Sequence, residues 1–418
     1  MTALLNRPTA QAPIDLAAWT IGAPRLLAGL DQAMTIGLDL HLATHGPVPG
    51  TDLERILGFL DHAVIAGRGG AGFPLAAKIR ALRGGRRRVV VNGTESEPAS
   101  HKDRLLLHRT PHLVLDGALA VANAVGARTV AVAVHDLATA VVVSTALAQR
   151  ADAGRVTVRV VRGGFVAGEA RAVVRALDGG PALPTGHRTP PTANGVLLAN
   201  PETFAQLAVL LRVGPQRFAS TGVPGEPGTT LLTVGGAVGR PGVVEAPLGT
   251  PLRIVLTAAR AEAPQAVVLG GYHGSWVQPM PQIPLSRSGV AVAGASFGAG
   301  VVLVVGQQTC ALGELARVAG WLADQSARQC GPCRFGLPAL AADVVTLAAG
   351  RPAAGRPAAD AAFDHARAVT GRGACAHPDG AARFVTSGLH VLLAEAEAHR
   401  RGGCGRPVLG HLPLGAAR

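Results

Sequence analysis

Cys330-Gly331-Pro332-Cys333-Arg334 and the later Cys375-Ala376-His377-Pro378-Asp379-Gly380 supply three thiols in a pattern suited to a metal centre. Iron–sulfur clusters are held by Cys thiolates, usually four of them. Three residues before Cys330, where another thiol would complete Cys-x-x-Cys-x-x-Cys, stands Ala327. Three arrangements stay open from the residues alone. A non-Cys ligand, a water or a partner group completes the iron site, or the site holds a three-iron cluster. Alternatively Cys310 or Cys404 swings in, or the site is empty and the three thiols are relics in a bundle. A cluster is the favoured reading, because Cys-x-x-Cys-Arg with a distant third Cys is a hazardous set of reactive thiols to keep for packing. His377 is a further candidate ligand, although a histidine so placed is more often simply hydrogen-bonded or on the surface.

Gly67-Arg68-Gly69-Gly70-Ala71-Gly72-Phe73-Pro74 is the second segment with chemical content. Its glycines permit positive φ and let backbone N–H groups approach a ligand closely, so a phosphate or a flavin ring can lie on them. Lys78 follows where a helix can aim its ammonium at the same ligand. Taken alone such a loop is more often a turn, and its GxGGxG form before a helix departs from the usual dinucleotide fingerprint. Asn92-Gly93-Thr94-Glu95-Ser96-Glu97-Pro98 begins at the end of an apolar strand, where ligands of parallel sheets collect. Asn92, Glu95 and Glu97 are therefore candidates for polar contact. Gly168-Glu169-Ala170-Arg171 also lies beyond a strand and opens a helix.

The elements that must position these residues alternate. Strands are expected at 88–92, 129–134 and 156–161, with helices at 111–125, 137–151 and 201–213, which implies a mostly parallel sheet. A short helix at 52–63, capped by Thr51, precedes them. Residues 180–195 read as a loop, and the Gly/Pro-rich 214–228 as a linker. Beyond it, short strands at 231–235, 242–245 and 266–269 with a helix near 251–259 make a small α+β module. Helical segments at 310–327, 336–349, 358–370 and 380–400 finish the chain, the last with an apolar stripe of Val385, Leu389, Leu392 and Ala396. A helical bundle with cysteines in its connections suits a cluster.

Length and composition bound the rest. A chain of 418 residues, 48% of them apolar, suits two to four globular domains. Apolar stretches such as 118–122 and 301–305 are too short to cross a bilayer, and no secretory leader pattern opens the sequence. Five cysteines, an odd number in a long chain, read as ligands plus spare thiols rather than a disulfide framework, and cytoplasm is the expected compartment. The net charge of +13 is nearly all arginine, since lysine occurs only at 78 and 102. With aromatics at 3% and base-reading motifs absent, nucleic-acid binding is set aside. The Gly84-Gly85-Arg86-Arg87-Arg88 run reads as a solvated loop, or one facing an acidic partner or a dinucleotide phosphate.

Taken in order, GRGGAGFP, NGTESEP with His101-Lys102-Asp103-Arg104 and Pro111-His112-Leu113, Gly168-Glu169, Asn200-Pro201-Glu202-Thr203, CGPCR and CAHPDGA make the sequence resemble the NADH-binding flavoprotein subunit of respiratory complex I. The same family includes flavin subunits of NAD-linked hydrogenases and formate dehydrogenases. The resemblance implies an α/β, Rossmann-like FMN-binding domain, a small β-grasp (SLBB-like) domain and a C-terminal four-helix bundle with a 4Fe-4S site. The implied division is a lead segment over 1–60, then domains over 61–215, 225–300 and 305–402. It implies NADH oxidation through FMN, with electrons passed to the cluster and then to a thioredoxin-fold 2Fe-2S ferredoxin-like subunit or another acceptor. By the resemblance Gly67, Arg68, Gly69, Lys78, Asn92, Glu95, Gly168, Glu169, Asn200 and Thr203 would contact FMN. Gly70, Ala71, Phe73 and Glu97 would face the nucleotide, and Cys330, Cys333 and Cys375 would ligate iron. No protein acid or base is required for hydride transfer to a flavin.

The sequence departs from the family pattern at several places. Besides Ala327, Thr94 replaces an acidic residue, Ala170 a second glutamate, Phe165 a tyrosine and Ala199 an asparagine. Phe73 remains of the aromatic residues that stack the NADH adenine, while Ala81 and Thr192 stand where the other two belong. The leading expectation is a separate NADH dehydrogenase (diaphorase)-like oxidoreductase. The alternative is a non-catalytic scaffold subunit that keeps the fold without a working redox chain.

Overall fold

A computed structural model describes residues 17–186, 189–351 and 357–415. Its first sheet is four-stranded and wholly parallel, in the order Val156–Val160, Thr129–Val134, Arg88–Gly93, Val196–Ala199. Valine-rich runs form its centre because both faces are covered. Val89, Val91, Val130 and Val132 pack with the helices Pro111–Ala124 and Pro201–Val213, whereas Val90, Ala131 and Ala133 face Val173 of the helix Ala170–Leu177. Side chains alternate across a strand, so a continuous apolar run serves two cores at once.

Caps set where the helices begin. Asp136 accepts from the Thr139 N–H at 2.7 Å, and Asn200 sits before Pro201 at the start of Pro201–Val213. The helix Leu53–His62 is capped by Asp52, whose carboxylate accepts from the Arg55 N–H at 2.8 Å, and not by Thr51. The helices Pro111–Ala124 and Pro201–Val213 approach so closely at Gly117 that a Cβ there would lie 1.9 Å from the Phe204 carbonyl oxygen.

The second sheet is six-stranded and mixed, in the order Ala18–Thr20, Gly242–Pro247, Thr229–Gly236, Val301–Gly306, Pro264–Leu269, Ser275–Val277. Three of its members, Ala18–Thr20, Val301–Gly306 and Ser275–Val277, were not assigned from sequence. Val301–Gly306 lacks alternation because it is central and buried on both faces, and Ala18–Thr20 is too short to carry a pattern of its own. The latter pairs in parallel with Val243–Glu245, and the Glu245 carboxylate accepts from the N–H groups of Arg25, Leu26 and Leu27. The stretch 214–228, expected as a linker, instead folds as the short helix Pro215–Ala219 and the hairpin Gly222–Val223/Glu226–Pro227. One face of the sheet packs on the helices Leu252–Ala258 and Arg287–Val292. The other packs on the C-terminal helices.

Those helices are Ala311–Asp324, Leu337–Ala348, Ala358–Val369, His377–Val391 and Leu393–Arg400. The expected single helix over 380–400 begins earlier and breaks at Leu392, so its apolar stripe is shared by two helices. The last described residues run back over the bundle. Leu412 is fully buried, the Tyr272 hydroxyl donates to the Pro413 carbonyl, and the Trp321 indole donates to the Gly415 carbonyl. No helix among the described residues is long and apolar enough to cross a membrane.

Candidate functional site

The glycine loop is closed by the Gly67 N–H, which donates to the Phe73 carbonyl at 3.0 Å. Gly70 and Gly72 have φ of +109° and +68°, backbone that side chains other than glycine rarely adopt. The loop rests on the start of the helix Pro201–Val213. The Arg68 N–H donates to Thr203 Oγ1 at 3.0 Å, and a Cβ on Gly69 would lie 3.8 Å from Asn200 Cβ. The Arg68 side chain turns inward, 3.7 Å from Glu202 and donating to the Thr229 carbonyl, so it anchors the loop. Gly69, Ala71 and Phe73 form the exposed edge.

The other expected flavin contacts line the carboxyl end of the parallel sheet. Lys78 Nζ donates to the Leu198 carbonyl at 3.0 Å, and burial lowers its pKa. Asn92 Nδ2 donates to the Gly168 carbonyl at 3.0 Å, while its Oδ1 accepts from the Thr94 hydroxyl at 2.7 Å. A Cβ on Gly168 would meet Ser96 Oγ at 2.5 Å, so these two turns are pressed together. Asn200 Nδ2 donates to both Asp103 oxygens at 3.0 Å.

Two carboxylates on the expected site are engaged locally. Glu95 accepts from the Asp103 and Arg104 N–H groups at 3.0 and 2.8 Å, capping the helix Lys102–Arg109. Glu169 accepts from the Arg171 and Ala172 N–H groups at the start of Ala170–Leu177. Glu97, half-buried as a residue, accepts from the Tyr272 N–H at 2.7 Å, and burial of its carboxyl pushes the pKa up to about 7. Below them Lys102, 2% exposed, lies 3.0 Å from Asp103 and 2.9 Å from Glu202. Burial, with Glu95 and Glu202 nearby, raises Asp103 to about 6 against the opposing pull of the Lys102 ammonium.

A cavity of about 630 Å³ opens beside this strip, lined by Glu95, Glu97, Arg104, His135, Arg162 and Phe165 among others. That volume is in the range of small-molecule sites. Arg162 and His135 follow the strands Val156–Val160 and Thr129–Val134 closely, so their carboxyl-end position was the signal that could have found them. Arg287 was not legible locally: it reaches the loop from the second sheet's module, donating to the Gly67 carbonyl at 2.7 Å and the Gly70 carbonyl at 3.3 Å. Of the residues expected at the flavin and nucleotide, Glu95 and Glu97 line this cavity, whereas the glycine loop, Lys78, Asn92, Gly168, Asn200 and Thr203 do not. The exposed backbone at Gly69 and the cations Arg104 and Arg162 in the cavity wall are groups that a flavin mononucleotide could use.

Cys330 and Cys333 lie on either side of Gly331 and Pro332, and Cys333 sits in the wide turn Pro332–Gly336. Cys375 stands two residues before the helix His377–Val391, whose N-cap is Ala376. Burial, with the Cys330 and Cys375 sulfurs as neighbours, pushes the Cys333 thiol up to about 12, and burial also raises Cys375. Cys330 and Cys375 are thus both neighbours of Cys333, and Ala327 offers no side-chain donor beside them. The His377 ring is engaged on both sides, by His273 Nε2 at 2.9 Å and by the Leu322 carbonyl at 2.9 Å. Cys310 and Cys404 gather elsewhere, with Glu395 and His399. A second cavity of about 450 Å³ is shared by Glu169, Arg171, Cys375 and Asp379, which brings Glu169 near Cys375. Phe165 packs against His273 and Trp321, with ring centroids 4.7 and 5.2 Å away.

Comparison with known proteins agrees with this arrangement. Residues 60–209 match the family model described as the Nuo51 FMN-binding domain, and residues 309–399 match the NADH-ubiquinone oxidoreductase-F iron-sulfur binding region. An NADH-quinone oxidoreductase subunit of Streptomyces coelicolor is 28% identical over 381 residues, covering 84% of this chain and 84% of that protein. The protein of the same name from Aquifex aeolicus is 26% identical, over 68% of this chain and 72% of its own. A crystal structure of NAD+-reducing [NiFe]-hydrogenase in the air-oxidized state superposes with a TM-score of 0.79 at 27% identity, over 92% of this chain and 68% of that one. With the loop, the sheet end and the cysteines in the same order, the chain matches the FMN-binding and iron-sulfur regions of the NADH-quinone oxidoreductase F family and is similar over most of its length to these subunits and to a chain of NAD+-reducing hydrogenase.

Proposed function

We infer that the protein is an electron-transfer flavoprotein subunit that oxidises NADH through FMN and feeds an iron–sulfur centre. The observation that carries this is the placing of Cys375 in a cavity with Glu169, at the turn that also meets Asn92. FMN, when bound, takes a hydride from NADH and gives up electrons singly, and it brings that chemistry with it. The chain's residues bind and orient. The exposed edge of the glycine loop offers backbone, Lys78 holds a cation at the end of Val196–Ala199, and Arg104 and Arg162 balance phosphate charge. Phe165 and Trp321 close the wall towards the C-terminal helices.

Several finer points belong to the same reading. The FMN contacts are Gly67, Arg68, Gly69, Lys78, Asn92, Gly168, Asn200 and Thr203, with Glu95 and Glu169 acting through the helices they cap. Gly70, Ala71, Phe73 and Glu97 face the nucleotide, and Cys330, Cys333 and Cys375 hold iron. The units over 61–215, 225–300 and 305–402 are the flavin, β-grasp and cluster-bearing domains. A thioredoxin-fold 2Fe-2S protein in the cytoplasm takes the electrons. The test is a count of flavin and iron after anaerobic reconstitution with FMN, iron and sulfide. The unaltered protein should retain both, and Cys333→Ser should lose iron while keeping flavin. Failure of the unaltered protein to retain iron would remove the electron-transfer reading and leave a scaffold.

A further inference from the structure

Cys310, Glu395, His399 and Cys404 present four ligand atoms that all lie within 4.8 Å of one another, apart from the thiols at 330, 333 and 375. They come from three pieces of chain. Cys310 caps the helix Ala311–Asp324, Glu395 and His399 are one turn apart on Leu393–Arg400, and Cys404 is on the returning C-terminal segment. Cys310, Glu395 and His399 are buried, and Cys404 is half-buried.

The orientation within the group is what ligation needs. His399 Nδ1 is 2.7 Å from the Ala348 carbonyl, which fixes the ring and turns Nε2 inward. Ligating histidines are commonly held this way through the ring nitrogen that does not bind metal. His399 Nε2 lies 3.3 Å from Cys310 Sγ and 3.9 Å from Glu395 Oε1. A tetrahedral zinc site has sulfur–nitrogen edges of about 3.5 Å, from metal–ligand distances of about 2.3 and 2.0 Å. Glu395 is steadied by the Leu312 N–H at 3.1 Å and by Arg406 Nη2 at 2.7 Å. Two thiolates and a carboxylate around a divalent cation leave one negative charge, and the Arg406 guanidinium neutralises it. Thiolate and imidazole donors disfavour magnesium and calcium, and four protein ligands leave no open position for catalysis.

We propose that Cys310, Glu395, His399 and Cys404 form a structural zinc site that fastens the C-terminal segment to the helical bundle. Zinc enters with loss of the two thiol protons to solvent, and no electron is transferred. The fastened segment is the one whose Gly410 and His411 N–H groups meet the Glu314 carboxylate and whose Pro413 carbonyl holds Tyr272. Tyr272 in turn gives its N–H to Glu97, and Gly415 of the same segment lines the larger cavity.

Elemental analysis of the full chain, purified without chelator, tests this against Cys404→Ser and His399→Gln. The unaltered protein should carry one more equivalent of zinc than either variant, with iron and flavin content the same in all three. Cobalt(II) added in place of zinc should give a thiolate charge-transfer band that Cys404→Ser abolishes. If His399→Gln does not fold, Cys404→Ser carries the comparison, since its side chain is partly open to solvent. Equal zinc in the unaltered protein and Cys404→Ser would overturn the proposal. So would iron as the metal lost from that variant, or a Cys310–Cys404 disulfide found by mass spectrometry in the native protein.

Discussion

At the scale of single residues, the site is built from groups whose surroundings change their chemistry. Glu97 shows this most clearly. Burial of its carboxyl raises the pKa from 4.5 to about 7, so the folded protein holds a proton there that the unfolded chain releases. The folded state then binds more protons between those values, and stability falls as pH rises from 4.5 to about 7. Chemical denaturation at several pH values should show that decline, and Glu97→Gln should remove it. An unchanged slope in the variant would show that Glu97 is not its source. Ala327 gives a second residue-scale prediction: Ala327→Cys should raise the iron retained per chain, counted after reconstitution, and no gain would argue against a cluster corner at that position. The cysteines and the glycine loop were legible because such residue types at such spacings are rare. The engagement of Glu95 and Glu169 at helix N-termini was not, since a carboxylate in sequence does not say whether a helix start or a ligand will receive it.

At the scale of elements, what was legible followed from periodicity and caps. Thr129–Val134 and Pro201–Val213 lie where the apolar runs and the Asn-Pro start place them. Elements that depend on distant partners were missed. Ala18–Thr20 becomes a strand only because Val243–Glu245 offers an edge, and the hairpin after Pro215–Ala219 is stabilised where Glu226 accepts from the Arg287 and Ser288 N–H groups. The Gly117 crossing makes the packing testable. Gly117→Ala places a Cβ against the Phe204 carbonyl, which as backbone cannot swing aside. The cost is expected to be on the order of 1–3 kcal/mol, read as a lower urea midpoint. A midpoint equal to that of the unaltered protein would contradict the close approach.

At the scale of the whole molecule, the arginine-rich charge illustrates what composition can mislead about. Arg150 and Arg212 both pair with the buried Asp116, Arg68 is turned inward, and Arg287 binds the glycine loop, so these four arginines serve internal structure. The three parts of the chain meet at the site. Glu97 joins the parallel sheet to Tyr272, and Phe165 carries the contact on to His273 and His377 beside the thiols. The proposed electron path rests on this continuity from the sheet-end strip to the cysteines, and Ala327 is where the path is most exposed to failure. An anaerobic absorbance titration of the reconstituted protein with NADH tests it directly. The flavin band should bleach first, followed by loss of the broad iron–sulfur absorbance. A flavin that NADH does not reduce, or a reduced flavin beside an iron centre whose absorbance never changes, would contradict it.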